Sequence, residues 1–135
     1  SAWADQDLTV HVDNNPTTLV PETYWQSSET GYLGPAGRWS FTFAAEVGTT
    51  YYLSLCPGTG GSADFDTTLS ISQFGSELAF NDDACGLQSE IVWIAPYSST
   101  FTVTVGSFQD SYQGTFQLGY RRDLNDVLFQ DGFEG

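Results

Sequence analysis

The run N-D-D-A-C-G at residues 81–86 sets Asn81, Asp82 and Asp83 beside Cys85. A second loop, C-P-G-T-G-G-S-A-D-F-D at 56–66, begins with Cys56 and carries Asp64 and Asp66. These are the only two cysteines, and they lack C-x-x-C or any comparable metal-site spacing. A Cys56–Cys85 disulfide in an oxidising compartment is therefore expected. It would close about 29 residues and bring the two acidic loops together, since bridged Cα atoms lie only about 5.5–6 Å apart.

Four carboxylates and one amide in a small volume repel one another unless hydrogen bonds or a cation compensate. Two roles are open to Asp64, Asp66, Asn81, Asp82 and Asp83. One is calcium binding, because calcium takes six to eight oxygens from carboxylates, amides and backbone carbonyls, and P-G-T-G-G could curl to supply the last kind. The other is the ordinary work of Asn and Asp in turns, capping nearby backbone amides. The pattern is no EF-hand, since D-F-D is followed by T-T.

Catalytic arrangements are sparse. His11 is the only histidine, and H-V-D puts it on one strand face with Asp13, but no G-x-S-x-G elbow accompanies the pair. P-G-T-G-G lacks the G-K-[ST] of a phosphate loop. Carboxylates for a glycosidase pair are plentiful, although glycosidase domains are usually larger than this chain. The chain is read as non-enzymatic. Tyr24, Trp25 and Tyr32 lie outside any alternating strand and could stack on sugar rings or proline-rich surfaces; the competing reading is that they plug one end of the fold. Trp39 and Trp93 are assigned to the core.

The charge narrows the partners. Seventeen acidic residues stand against three arginines and no lysine, for a net charge of −14 over 135 residues. Phosphate backbones and anionic membranes are repelled by such a surface, so nucleic-acid binding and membrane insertion are not expected. No apolar run reaches the length of a transmembrane helix. Ala2-Trp3-Ala4 has the form of a signal-peptidase site, though an ordinary frayed terminus accounts for it more simply.

What must position these groups is a set of strands. Alternation is clear in 7–13, 38–44, 50–56, 68–73, 100–106 and 114–120, while the denser 90–95 could be buried on both faces. Turn signals separate them at 47–49, 74–76, 95–99 and 108–114. Seven to eight short strands at this spacing predict an all-β fold, an antiparallel β-sandwich over residues 1–122. Residues 14–37, rich in Pro, Thr, Ser and Gly, are expected to form a long irregular connection, and 123–135 an acidic C-terminal extension.

L-S-L-C, F-D-T-T-L-S-I, F-N-D-D-A-C-G-L-Q-S-E-I, F-T-V-T-V-G-S-F and G-T-F-Q-L-G-Y together resemble a bacterial pre-peptidase C-terminal domain over about residues 36–120. The resemblance implies a jelly-roll-like sandwich, secretion, no catalysis of its own, and service to a parent peptidase or other hydrolase in secretion, folding or substrate adhesion. A free-standing extracellular module that binds a protein or polysaccharide is the alternative. The collagen-binding domains of clostridial collagenases are distant relatives that bind calcium largely through an N-terminal linker, which has no match in this chain. The ending D-V-L-F-Q-D-G-F-E resembles the tails of many exported proteobacterial proteins.

Overall fold

The computed structural model describes residues 16–35, 37–82, 84–109 and 113–123. Within them the chain forms β1 (Thr17–Leu19), β2 (Gln26–Ser27), β3 (Gly31–Leu33), β4 (Arg38–Ala45), β5 (Thr50–Ser54), β6 (Ser62–Ala63), β7 (Thr67–Gln73), β8 (Ser76–Asn81), β9 (Glu90–Ile94), β10 (Ser99–Ser107), β11 (Gly114–Gln117) and β12 (Gly119–Arg122), with no helix. They assemble into a five-stranded sheet β1-β4-β10-β7-β8, a four-stranded sheet β2-β12-β5-β9 and a three-stranded sheet β3-β11-β6. Pairing is antiparallel except where β1 runs parallel to β4, Thr17 facing Phe41. The fold is an all-β sandwich, as the alternation predicts.

Period-two alternation becomes the core directly. Phe41 and Phe43 from β4, Phe101, Val103 and Val105 from β10, and Leu69 and Ile71 from β7 face inward from the five-stranded sheet, each at most 3% exposed. Tyr51, Leu53 and Ile91 meet them from the four-stranded sheet. The aromatic rings interlock across the layers: Phe43 lies 5.2 Å from Tyr51, and Trp93 lies 4.8 Å from Phe101, edge to face. Trp39 and Trp93 are partly buried and pack against this core, as expected of them.

The described residues hold twelve strands, several of only two to four residues, where the alternation predicts seven to eight. Residues 14–37 are not wholly irregular, since 17–33 include β1, β2 and β3, each two or three residues long and too short to show a period. β8 escapes the alternation test because it is an edge strand with most of its residues exposed on both sides. The segment 114–120 divides at Leu118, which exchanges hydrogen bonds with Ser28: Ser28 N–H donates to its carbonyl (2.8 Å) and its own N–H donates to Ser28 Oγ (2.9 Å). β11 therefore joins one sheet and β12 another, the corner by which strands switch layers in packed sandwiches. The expected strand 7–13, with His11 and Asp13, lies outside the described residues.

The β7–β8 hairpin turns on Phe74 and Gly75, both at positive φ (52° and 80°), between the paired Gln73 and Ser76. A two-residue turn of this kind favours Asn-Gly. Phenylalanine in the left-handed region costs about 1–2 kcal/mol, and Phe74 is 95% exposed, so nothing in the core offsets that cost.

Candidate functional site

Two regions concentrate functional side chains, the disulfide corner and the outer face of the five-stranded sheet. At the corner Cys56 and Cys85 are bridged, with Cα atoms 6.1 Å apart, as their spacing predicts. Cys56 follows β5, whose neighbour Leu55 donates its N–H to Ser89 O. The loop bearing Cys85 is held as well by Gln88, whose Nε2 donates to the carbonyls of Ala63 and Phe65, both at 3.3 Å. Thr67 N–H donates to Leu87 O at 3.0 Å, and Ser89 Oγ donates to Thr67 O at 3.0 Å. The two loops are thus stitched together by more than the bridge. Gln88 was not singled out from sequence; its side chain reads there as one more polar loop residue.

The acidic residues divide in their roles. Asp64, between β6 and β7, accepts from Thr115 N–H (2.9 Å) and Thr115 Oγ1 (3.1 Å), tying β11 to the loop. Gly114 permits this approach, because a Cβ there would lie 2.0 Å from Asp64 Oδ1. Asn81, the last residue of β8, accepts from Glu90 N–H through Oδ1 at 3.2 Å. Asp66 immediately precedes β7, and its carbonyl accepts from Phe108 N–H. Asp82 follows Asn81, and Asp83 lies outside the described residues. Among the described residues no three His, Cys, Asp or Glu side chains are grouped to hold a metal ion.

Of the expected ligand-binding aromatics, Trp25 is half-buried and belongs to a stacked group. The Arg121 guanidinium lies 3.8 Å from the Tyr52 ring centre and 5.3 Å from that of Trp25. Asp123 receives a hydrogen bond from the Tyr52 hydroxyl (2.9 Å) and pairs with Arg121 (3.1 Å). The Tyr52 phenol is pushed above its ordinary pKa, first by that hydrogen bond to the carboxylate and then by desolvation. Tyr24 and Tyr32 are 65% and 52% exposed. Tyr32 stands on β3 in the three-stranded sheet, whereas Trp25 packs edge to face on Tyr52 of the four-stranded sheet, ring centres 6.2 Å apart.

The outer face of the five-stranded sheet carries a groove that sequence reasoning missed. The outward alternates Thr68, Ser70 and Ser72 of β7 and Thr104 of β10 floor it, in a volume of about 470 Å³. Register places Thr104 opposite Ser70 on one side and Ser40 on the other, with Oγ atoms of Ser40 and Thr104 3.2 Å apart. Arg38 lies at one side; Glu77 and Phe80 rise on β8, and Phe108 follows β10. Gly106 leaves room for Arg38 to cross β10, since a Cβ there would stand 2.8 Å from Thr68 Oγ1 and 3.0 Å from Arg38 Cδ. Phe80 and Phe108 are 53% and 51% exposed.

A β-sandwich with a disulfide-braced corner and an open hydroxyl-lined face is the class this geometry defines. No family model matches the chain, and no characterised protein matches it by sequence. Solved structures share its fold. A periplasmic lysozyme inhibitor of g-type lysozyme from Aeromonas hydrophila (PliG) superposes with a TM-score of 0.60 at 13% identity, over 84% of this chain and 98% of that one. The pre-peptidase C-terminal domain of a collagenase from Bacillus anthracis superposes with a TM-score of 0.58 at 17% identity, over 81% and 100%. The PliG of Salmonella Typhimurium gives 0.54 at 11% identity, over 81% and 100%. These likenesses establish a fold like that of pre-peptidase C-terminal domains.

Proposed function

We propose that the chain is a non-catalytic accessory module of an exported bacterial hydrolase, a peptidase being the first choice, and that it holds the enzyme against an extracellular substrate. The observation that carries this reading is the open groove on the five-stranded sheet, where hydroxyls and exposed rings face solvent on a rigid scaffold. The pre-peptidase C-terminal motifs and the fold shared with the collagenase domain support the link to a hydrolase. The disulfide supports a location outside the cytoplasm. The lysozyme inhibitors of the same fold support a second reading, a free-standing periplasmic or extracellular module that binds a protein.

Calcium belongs to the proposal as a stabiliser of the acidic corner. Its proposed ligands are Asp64, Asp66, Asn81, Asp82 and Asp83, of which Asp64 and Asn81 also accept hydrogen bonds from Thr115 and Glu90, with backbone carbonyls completing the shell.

Co-sedimentation with insoluble collagen, chitin and cellulose, with released peptide and sugar measured in the same tubes, tests the adhesive role. Retention on one of these polymers without product is the expected result. Turnover that disappears with one substitution, or no retention on any of the three, would overturn the reading.

A further inference from the structure

We propose that the groove over β7 and β10 binds a segment of a neutral polysaccharide, a claim that rests on the adhesive reading above and names its ligand. The floor strands β10 and β7 are interior to the sheet, and their main-chain groups are consumed in ladders with β4, with each other and with β8. An extended peptide laid here finds no backbone partners. What the floor offers is hydroxyls, on Thr68, Ser70, Ser72 and Thr104, each both donor and acceptor. A glycan carries the same chemistry on its rim and apolar C–H faces on its rings, which match the exposed faces of Phe80 and Phe108.

Size and charge agree with this. From β4 to β8 the groove crosses three interstrand steps, roughly 14 Å, enough for a short oligosaccharide stretch. Arg38 and Glu77 stand on opposite sides and form no ion pair with a described residue, so the groove itself has no dominant sign. The −14 charge around it disfavours uronate or sulfated chains.

The hairpin tip adds an independent sign. Phe74 occupies a left-handed position that suits Asn, and it is 95% exposed, next to Gly75 of the groove lining. Strain retained without a packing gain is expected where a side chain serves binding. Phe74 is assigned as the outermost ring of the sugar platform.

Native affinity electrophoresis tests this, with the chain run through gels containing hydroxyethyl cellulose, soluble xylan or a soluble β-1,3-glucan, and in parallel through polygalacturonate and gelatin. Retardation in at least one neutral-glycan gel and none in polygalacturonate is expected. Phe80→Ala and Phe108→Ala should each weaken it by about tenfold. Phe74→Asn should weaken it while raising the melting temperature, which separates a binding role from a structural one. No retardation in the three neutral gels, retardation unchanged by these variants, or gelatin binding through the same rings would overturn the proposal. Sedimentation with a polymer that survives all three substitutions would leave the adhesive reading standing and place its surface elsewhere.

Discussion

Tyr52 shows how one residue's partners set a measurable property. Its hydroxyl donates to Asp123 while its ring carries the Arg121 guanidinium, and the carboxylate holds the phenol above the usual value of about 10. A raised folded-state pKa means the fold favours the protonated phenol. The contribution is complete below pH about 10 and is lost as pH rises through the folded value. Ultraviolet titration should show this tyrosine ionising above that point, and Asp123→Asn should bring it back down. Stability should fall less steeply in alkali for Tyr52→Phe than for the parent chain; equal slopes would contradict the assignment. Cys56 and Cys85 give a second residue-scale expectation. Their bridge closes a 29-residue separation, so replacing both by Ser should cost about 3–4 kcal/mol in denaturant unfolding. The intact non-reduced protein should weigh two hydrogens less than the reduced one.

Among the elements, those with an inward and an outward face were legible in the sequence. β4, β5, β7 and β10 fall within a residue or two of the alternating runs, because one sheet face is buried and the period shows. β9 lies in the denser run 90–95, yet Val92 and Ile94 are 57% and 62% exposed, so it is not buried on both faces. β8 was not, since an edge strand exposed on both sides selects no pattern, and β1 to β3 are too short to have one. The disulfide was legible from two cysteines at strand ends. The groove was not, because its lining comes from outward residues of strands made neighbours by the order β4-β10-β7-β8, which differs from their order along the chain. Turn chemistry at 74–75 could have pointed there, since F-G stands where N-G is the favoured choice. Phe74→Asn should therefore stabilise the domain by about 1 kcal/mol in chemical denaturation. Destabilisation instead would mean the ring makes a packing contribution.

For the whole molecule, the −14 charge governs both stability and partners. Salt screens mutual repulsion, so any acidic protein gains from added ions, and the calcium proposal needs more than that gain. Calcium at about one hundred times its Kd should add about 2.7 kcal/mol. The melting temperature should rise beyond a sodium chloride control of equal ionic strength, and chelator should reverse it. Asp66→Ala or Asp82→Ala should abolish the difference. Equal shifts in calcium and control salt would reduce all the acids to turn caps.

Among the described residues exposed rings include Phe74, Phe80 and Phe108 at the proposed groove and Tyr24 and Tyr32 away from it, and the adhesive face is assigned to the first group. Hydroxyl-radical footprinting of the chain adsorbed on a polymer that retains it separates them directly. Protection of Phe74, Phe80 and Phe108, with Tyr24 and Tyr32 labelled as in free solution, is the expected result. Protection of Tyr24 and Tyr32 with the three phenylalanines unchanged would contradict the assignment of the five-stranded sheet as the binding face.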